Sequence, residues 1–409
     1  MGKLRDLSER ALAGEQTDFH PFAPLFAVEE IAERTACVSS FANVLVVDTD
    51  EGLVLVDPGS FVFAKLSREL VRRFSERPLH TAVYTHGHVD HVFGVELYEA
   101  EREGHRARVV AHENVPARFD RYRLTPGYNA CINARQFQAS TDWPVDYRYP
   151  DTTFEDHLAL DVGGVRVELA HARGETDDHL YAWLPERGVL ATGDLFIWAS
   201  PNAGNPQKVQ RYPGEWAAAL RAMAKLDAEV LSPGHGLPIF GRAAVRRALE
   251  ETATLLEYLV RETLARLNEG ARLDRILAEV RAPRELLERP YLKPVYDEPE
   301  FVVRNVVRQF GGWWDGNPAS LKPAREVALA KELAALAGGA HKLAERAADL
   351  SARGEHALAC HLAEHAFLAD PSSARTREIH TRVYRARVEV ETSLMAKGIF
   401  SAAARDSED

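Results

Sequence analysis

The sequence predicts an α/β domain that is followed by an all-helical domain. Between residues 41 and 235, short β-rich runs alternate with helical or loop segments, as in α/β folds. After Gly241 the strand patterns end, and apolar residues recur at steps of three or four. The length of 409 residues, set against a usual domain size of about 150, also favours more than one folding unit.

The predicted strands are nearly continuous apolar runs, as expected of strands that are covered on both faces. They are placed at residues 43–49, 52–57, 81–85, 108–111, 165–170, 180–184, 189–193 and 229–231. The first two strands are joined at Asp50-Glu51-Gly52, so we expect them to form a hairpin.

The second half of the chain has helical periodicity. The pattern from Val245 to Leu267 predicts one long amphipathic helix. Residues 331–367 are rich in Ala and Leu, with Gly354 between two helical patterns and Asp370-Pro371 as a stop signal. We therefore expect a helical hairpin there. A repeat array is not expected, because the sequence contains no second copy at a fixed period.

Composition excludes several classes of protein. With 46% apolar and 27% charged residues, the chain is typical of a soluble globular protein. The net charge of −11, without a basic stretch interleaved with aromatics, argues against a nucleic-acid partner. No apolar run approaches the roughly 20 residues that span a bilayer, so no membrane partner is expected. A charged N-terminus without an apolar core and three widely spaced cysteines favour a cytoplasmic location.

The strongest chemical feature is the segment His86-Gly87-His88-Val89-Asp90-His91, which follows the predicted strand 81–85. Three imidazoles and a carboxylate at the end of a strand can hold two neighbouring cations, the first with His86 and His88, the second with Asp90 and His91. A surface loop with three histidines by chance is the alternative. The metal interpretation is preferred because further ligand candidates also follow predicted strands.

This segment resembles a motif of the metallo-β-lactamase superfamily, as does Val56-Asp57-Pro58-Gly59 before it. Two later pieces agree with the resemblance: Thr192-Gly193-Asp194 is similar to the loop with the metal-bridging carboxylate, and Ser232-Pro233-Gly234-His235-Gly236 to the last ligand loop. The resemblance implies an αββα metallo-β-lactamase fold, with a catalytic domain over residues 20–245.

One position indicates a branch of that superfamily. Nineteen residues before Asp194, where most members carry a histidine ligand, this chain has Glu175, as in the alkylsulfatase branch. Residues 291–296, 300–305 and 312–318 resemble the helical dimerisation domain of that branch, which implies such a domain over residues 246–400 and a homodimer. Residues 128–137 resemble an insertion that lines the active site in the branch.

The resemblance also implies a metal-ligand set. His86, His88 and Glu175 would hold the first ion, Asp90, His91 and His235 the second, and Asp194 would bridge them. Asp90 and Asp194 are assigned to catalysis as well. Two divalent cations are expected, with zinc as the expected metal and manganese left open by the three carboxylates. Such cations can lower the pKa of bound water to about 7.

Three residues near these ligands have supporting roles in this scheme. Asp57 ends a predicted strand and is expected to orient the metal loop. His171 and His179 flank Glu175, and they either support the ligands or replace Glu175 as the third ligand of the first ion.

Several Arg and Asn side chains lie in or beside loops that should open towards the metals, and they are candidate binding groups for a small anionic ester. Surface exposure explains any single one equally well. The candidates are Asn129, Arg135, Arg173, Asn202, Asn205 and Arg211.

The predicted function is the hydrolysis of short or medium alkyl sulfate esters by a dinuclear metal site. Long-chain alkylsulfatases continue into a sterol-carrier-like third domain for the alkyl tail, whereas the sequence given ends shortly after Phe400. Residues 197–206 lack the His-Asn pair that the branch carries after its bridging carboxylate. Hydrolysis of another ester class (phosphodiester, lactone or thioester) remains an alternative, as does a non-catalytic helical interaction protein.

Overall fold

The computed structural model of the chain describes residues 2–139 and 142–407. They form two compact units, which we call unit 1 and unit 2. Unit 1 comprises residues 2–126, 143–270 and 275–311, and unit 2 comprises residues 127–139, 142, 271–274 and 312–407. The predicted division between residues 245 and 246 falls inside a helix of unit 1, Arg242–Asn268. The ranges 20–245 and 246–400 therefore stay a proposal about functional regions.

Unit 1 contains two β-sheets. The strands of the first, in spatial order, are β1 (Ala27–Ala32), β2 (Thr35–Ser39), β3 (Val44–Thr49), β4 (Gly52–Val56), β5 (Leu79–Val83), β6 (Arg108–His112) and β7 (Thr152–Phe154). Those of the second, in chain order, are β8 (His157–Val162), β9 (Val165–His171), β10 (Leu180–Leu184), β11 (Val189–Ile197), β12 (Val230–His235) and β13 (Ile239–Phe240).

Helices connect the strands and form the second half of the chain. In chain order they are α1 (Lys3–Leu12), α2 (Ala64–Phe74), α3 (Val95–Glu99), α4 (Val115–Leu124), α5 (Pro126–Phe137), α6 (Pro213–Ala224), α7 (Arg242–Asn268), α8 (Leu273–Glu279), α9 (Arg284–Leu287), α10 (Pro299–Gly311), α11 (Pro318–Leu321), α12 (Glu326–Ala337), α13 (Ala340–Ala352), α14 (His356–Ala369), α15 (Ala374–Val390) and α16 (Leu394–Asp406), with a 3₁₀ turn at Pro185–Arg187.

The two sheets of unit 1 pack face to face. Apolar side chains of both, such as Val54 from β4 and Leu169 from β9, meet in one buried core. The outer face of the first sheet packs against α2, α3 and α4 in a second core. Helices α6 and α7 pack together and cover the second sheet at β11 and β12. The predicted αββα arrangement is therefore confirmed.

Most predicted strands form within a few residues of their expected bounds. The hairpin is confirmed, since β3 and β4 pair antiparallel with Thr49 opposite Gly52. The strand predicted at residues 189–193 extends to Ile197, and the one predicted at residues 229–231 extends to His235. Each extension contains a candidate metal ligand, Asp194 in the first and His235 in the second. Both residues therefore lie within a strand and not in the loop after it.

Parallel pairing places the carboxyl ends of several strands at one edge of each sheet. In the first sheet β4, β5 and β6 are parallel neighbours, and in the second β11 and β12 are. The carboxyl ends of parallel strands are where ligand-binding loops gather in α/β proteins. Asp57, the segment from His86 to His91, and His235 all lie at such ends.

Unit 2 is helical in its described residues. Helices α13 and α14 form the predicted hairpin, with Gly354 in the turn between them. They pack with α12, α15 and α16 around small side chains such as Ala344 and Ala363. No helix in the described part of the chain is both long and apolar enough to cross a bilayer.

Candidate metal centre

The structure brings the seven predicted ligands of unit 1 into two adjacent groups. Their candidate ligand atoms lie within 4.8 Å of one another in each group. The first group contains His86, His88, Glu175 and Asp194, and the second contains Asp90, His91 and His235.

The first group is almost enclosed by protein. Nε2 of His86 lies 2.8 Å from Nδ1 of His88 and 3.4 Å from Oε2 of Glu175. The same Glu175 oxygen is 3.3 Å from Nδ1 of His88. His86 and Glu175 are buried, and the His88 side chain is 16% exposed. Three ligand atoms thus converge on one small space.

The second group lies beside the first. Nε2 of His91 is 3.6 Å from Oδ2 of Asp90, and Nε2 of His235 is 3.4 Å from the same oxygen. His91 and His235 are buried, whereas the Asp90 side chain is 21% exposed. The Asp90 and His88 side chains therefore give the centre its access to solvent.

Asp194 links the two groups with its two oxygens. Its Oδ2 lies 4.0 Å from Nε2 of His86 in the first group. Its Oδ1 lies 3.4 Å from Nε2 of His91 and 3.4 Å from Nε2 of His235 in the second. This geometry suits a carboxylate that bridges two cations.

Three unpartnered atoms test whether these residues fit metal ions. Among the described residues, Nε2 of His91, Oε2 of Glu175 and Oδ1 of Asp194 are buried without a hydrogen-bond partner. Leaving such an atom unsatisfied costs about 1–3 kcal/mol. Each belongs to one of the two groups, and imidazole nitrogens and carboxylate oxygens are ordinary zinc ligands. The residues therefore fit divalent metal ions.

The charges of the second group stabilise one another. Burial lowers the pKa of His91, but the carboxylates of Asp194, Asp90 and Asp57 outweigh it and hold that pKa well above its ordinary value. Burial likewise lowers the pKa of His235, yet Asp194 and Asp90 raise it to about 10. Buried carboxylates thus require positive partners here, and a metal ion that binds must displace the imidazole protons.

Asp57 contacts the candidate metal loop at two points. It follows β4 with a φ angle of 58°. Its Oδ1 accepts a hydrogen bond from the backbone N–H of Thr85 at 2.8 Å, and its Oδ2 lies 2.8 Å from Nδ1 of His91. The far nitrogen of His91 therefore faces Asp194.

His235 is held in a similar way by backbone. Its Nδ1 lies 2.5 Å from the carbonyl oxygen of Phe41. The side chain of Asn43 donates to the carbonyls of Pro233 and Gly236 at 2.9 Å, which fixes the loop around His235. Position 234 in that loop requires glycine. A Cβ there would collide with Oδ1 of Asp194 and would lie 2.7 Å from the backbone carbonyl carbon of Gly193.

His171 and His179 lie outside both ligand groups of the described residues. Nε2 of His179 accepts a hydrogen bond from the backbone N–H of Asp194 at 3.1 Å, and its Nδ1 lies 2.9 Å from the carbonyl of Leu180. Nδ1 of His171 lies 2.9 Å from the carbonyl of His179. Both histidines support backbone near the centre, so the geometry favours Glu175 as the ligand.

The six candidate substrate-binding residues are divided between unit 1 and unit 2. Asn129 and Arg135 belong to helix α5 in unit 2. Arg173 is exposed and its guanidinium lies over the Tyr212 ring, 4.2 Å from the centroid. Asn205 is buried and accepts a hydrogen bond from the N–H of Gln207.

Asn202 and Arg211 both contact Glu175. The side-chain amide of Asn202 donates to Oε1 of Glu175. Nη1 of Arg211 lies 2.9 Å from the same oxygen. All three side chains are buried, so these two candidates lie against a candidate metal ligand.

The sequence interpretation missed an ion pair that supports the ligand loop. Oδ2 of Asp178 accepts a hydrogen bond from the N–H of Gly87 at 3.0 Å and another from Nε of Arg118 at 2.7 Å. Asp178 and Arg118 are both buried. The acidic pair Asp177-Asp178, which follows Glu175 closely, was a usable signal for this role, whereas Arg118 on helix α4 was not.

Lys208 is a third residue that the sequence interpretation missed. It is partly buried, and its ammonium lies 5.5 Å from the centroid of the Trp143 ring. Burial and then the charge of Arg211 lower its pKa to about 8, while Asp90 and Glu175 raise it. Its charge thus interacts with one carboxylate of each metal group.

Aromatic rings lie against the second group. The ring of Phe22 is 5.0 Å from that of His235 and 4.0 Å from that of Tyr296, centroid to centroid. The ring of Phe41 is 5.3 Å from that of His235. Phe22, Phe41 and Tyr296 are partly buried, so they offer an apolar surface beside the ligands.

Comparison with known protein families confirms the resemblance found in the sequence. Residues 39–235 match the model of the metallo-beta-lactamase superfamily, and residues 272–409 match the model of the alkyl sulfatase dimerisation region. These two segments are thus similar to these two families, in that order along the chain.

Similar proteins agree with that combination. The chain is 28% identical over 367 residues to the linear primary-alkylsulfatase of Pseudomonas sp. (strain ATCC 19151), covering 83% of this chain and 69% of that protein. It is 27% identical over 370 residues to the (R)-specific secondary-alkylsulfatase of Pseudomonas sp., covering 83% of this chain and 56% of that one.

A solved structure has the same fold. The stereoselective inverting sec-alkylsulfatase Pisa1 from Pseudomonas sp. superimposes with a TM-score of 0.85 at 23% identity, over 93% of this chain and 65% of that chain. The chain thus spans only part of the length of these relatives.

Proposed function

We propose that this protein, in which a metallo-β-lactamase superfamily segment precedes an alkyl sulfatase dimerisation segment, is a metal-dependent sulfatase. The observation that carries the proposal is the position of Asp194, with one oxygen towards His86 and the other towards His91 and His235. Such a carboxylate suits two cations side by side, which is an arrangement used for hydrolysis of phosphate and related esters. Two curated relatives that share most of this chain are named alkylsulfatases.

The family and the two residue groups support divalent metal ions. We propose two ions per chain, with zinc as the metal. Four imidazoles and three carboxylates make a mixed ligand set, in which the carboxylates leave manganese as the competing ion. His86, His88 and Glu175 would hold the first ion, Asp90, His91 and His235 the second, and Asp194 would contact both.

When bound, such ions polarise ester oxygens and lower the pKa of a water molecule to about 7. The residues of the chain would position the ions and the ester for this reaction. Asp90, assigned to catalysis, is the most exposed ligand of the second group, so it borders the route by which an ester reaches the centre. Asp194 holds the two groups side by side, because its two oxygens face one group each.

The substrate we propose is a sulfate ester of a short or medium alcohol. Lys208 provides a positive charge near Asp90 and Glu175, which suits the sulfate group. Phe22, Phe41 and Tyr296 provide an apolar surface beside His235, which suits the carbon part. Each buried methylene contributes about 0.8 kcal/mol, so a surface of three rings favours only the first few carbons.

A substrate panel tests the proposal. The zinc-loaded chain should hydrolyse alkyl sulfates of two to twelve carbons, with kcat/KM rising and then levelling after a few carbons. The matched control is the Asp90→Ala variant, which should be inactive on the whole series. A rise of roughly tenfold for every two methylenes out to twelve carbons would contradict the short-chain preference.

Two outcomes of that panel would replace the proposal. Turnover of a phosphodiester, lactone or thioester without turnover of any sulfate ester would assign another ester class to the same metals. A chain that purifies without stoichiometric metal and hydrolyses nothing would favour a non-catalytic helical interaction protein.

We also propose a homodimer formed by the helical half of the chain, which matches the dimerisation model. Unit 2 carries large apolar side chains on its surface, among them Leu329 and Leu336 on α12, with exposed fractions of 49% and 84%. Trp313 precedes them and is 73% exposed. Surfaces of this kind commonly mark protein interfaces. A cytoplasmic location remains our prediction from the cysteine pattern.

A further inference from the structure

Glu175 uses its two carboxylate oxygens for different purposes. Oε1 accepts from the side-chain amide of Asn202 and lies 2.9 Å from Nη1 of Arg211. Nη1 of Arg211 also donates to the backbone carbonyl oxygen of Glu175 at 2.6 Å. All three residues are buried, Glu175 to 1% exposure and Arg211 to 2%. One end of the carboxylate is therefore anchored to protein.

The other oxygen is turned towards the first metal group. Oε2 lies 3.4 Å from Nε2 of His86 and 3.3 Å from Nδ1 of His88. It has no hydrogen-bond partner among the residues described. Because Oε1 is occupied, Glu175 can offer a metal ion only Oε2, as a one-oxygen ligand with a fixed direction.

Arg211 is itself held rigidly by its backbone. The side-chain amide of Asn305, on helix α10, donates to the carbonyl of Arg211 at 2.9 Å. The oxygen of the same amide accepts from the N–H of Arg211 at 3.4 Å. The next residue, Tyr212, donates its N–H to the carbonyl of Gly174 at 2.9 Å. The segment of Arg211 is thus tied to the segment of Glu175 as well as to α10.

We propose that Arg211 is a positioning residue for Glu175, which fixes this carboxylate as a one-oxygen ligand and so sets the affinity of the first metal position. Partners that hold a metal ligand in place commonly change metal affinity by about 10–100-fold when they are removed. The proposal depends on the metal site of the proposed function and is independent of which ester is the substrate.

This role differs from the sequence prediction that Arg211 binds the substrate anion. The Nε atom of Arg211 is buried and has no hydrogen-bond partner among the described residues. The two roles predict different effects of replacing Arg211. A substrate-binding Arg211 changes KM and leaves metal content alone. A positioning Arg211 changes metal affinity when no substrate is present.

The test is zinc titration of the full chain against a chromophoric chelator, without any ester. Arg211→Gln should lower the affinity of one position by about 10–100-fold and leave the other position at the wild-type value. Arg211→Lys keeps the charge but not the planar guanidinium, so its affinity at that position should lie between those of the wild type and Arg211→Gln. Arg308→Gln is the matched control, because Arg308 donates to the same Asn305 but is exposed, and no hydrogen bond or ion pair of the described residues joins it to Glu175.

Selective loss at one position separates positioning from a general folding defect, which would weaken both. If Arg211→Gln does not fold, Asn202→Ala removes the other contact to Oε1 and should still weaken the same single position. In a Glu175→Ala background, Arg211→Gln should change affinity by less than about twofold, since the residue through which it acts is gone.

Wild-type affinity at both positions in Arg211→Gln, with a raised KM for anionic esters, would overturn the proposal in favour of substrate binding. Equal weakening of both positions would also overturn it. If the wild-type chain binds two ions but hydrolyses no sulfate ester, the sulfatase proposal fails, and the titration of Arg211 variants still decides this one.

Discussion

His91 and Asp57 are joined by a 2.8 Å hydrogen bond between Nδ1 and Oδ2. This contact places the proton of the ring on Nδ1, because a carboxylate can only accept. Nε2 of His91 is then the nitrogen that can bind a metal ion in exchange for its proton, and it faces Oδ1 of Asp194 at 3.4 Å. Asp57 also accepts from Thr85 just before the ligand segment, so one carboxylate fixes both the ring and the start of its loop.

Replacing Asp57 by Asn tests this role with little steric change, since Asn tolerates the positive φ angle of 58° at this position. The loss of charge should lower zinc affinity at the second position by about 10–100-fold. Titration against a chromophoric chelator measures this affinity. Asp50→Asn, at an exposed position, is the control. Unchanged affinity in Asp57→Asn would remove Asp57 from the metal centre.

The second metal position should be emptied by Asp90→Ala or His235→Ala. Each variant removes one of two candidate ligand atoms, Oδ2 of Asp90 and Nε2 of His235, which lie 3.4 Å apart. Elemental analysis should then find about one ion per chain in place of about two, and hydrolysis should fall by several orders of magnitude. His356→Ala in unit 2 is the control and should retain both ions. Two ions in His235→Ala would contradict the assignment.

Asp297 should make stability depend on pH. Its Oδ2 accepts from the N–H of Gly204 at 2.6 Å and its Oδ1 from the N–H of Glu298 at 2.7 Å. Burial nevertheless raises the pKa of this carboxyl from its ordinary 3.8 to about 7. Between about pH 4 and pH 7 the folded chain therefore holds a proton that the unfolded chain has released.

The free energy of unfolding should accordingly fall as pH rises through this window, by at most about 1.4 kcal/mol per pH unit. The contribution is complete below about pH 4 and lost above about pH 7. Urea unfolding at pH 5 and pH 8 measures it, and Asp297→Asn should lose less stability than wild type over that interval. An equal loss in both proteins would show that Asp297 does not titrate there.

The apolar face of α12 should contribute to the dimer. Introducing Leu329→Glu together with Leu336→Glu places two charges on a surface that we expect to be buried between copies, and burying an unpaired charge is costly. Light scattering at micromolar concentration should show a dimer for wild type and a monomer for the variant. Leu124→Glu, in unit 1 and 83% exposed in the single chain, is the control. A variant that stays dimeric would place the interface elsewhere.

The fold could be predicted where apolar runs are long and uninterrupted. The hairpin of β3 and β4, both largely buried, was found from its sequence because buried strands are apolar throughout. Strand β1 was missed because Ala27–Ala32 contains two adjacent glutamates and is mostly half-buried. The extension of β11 to Ile197 was missed because its pairing with β12 shifts register after Ala191 and again after Gly193.

The sequence by itself indicated the candidate ligand segment from His86 to His91, since three imidazoles and a carboxylate within six residues of a strand's end are visible without any tertiary information. The choice of Glu175 came from its spacing to Asp194, which the resemblance supplied. What surrounds Glu175 could not be predicted in the same way, and neither the burial of Arg211 nor the partners of Asp178 followed from any local pattern.

Only the tertiary structure decided those contacts. Arg211 is 36 residues from Glu175, and Arg118 is 60 residues from Asp178. A lone arginine carries no signal of its partner, because an exposed anion-binding role and a buried ion pair require the same side chain. The distinction depends on burial, which arises when loops from separate strands converge, and this convergence places the buried Arg211 guanidinium against the buried carboxylate of Glu175.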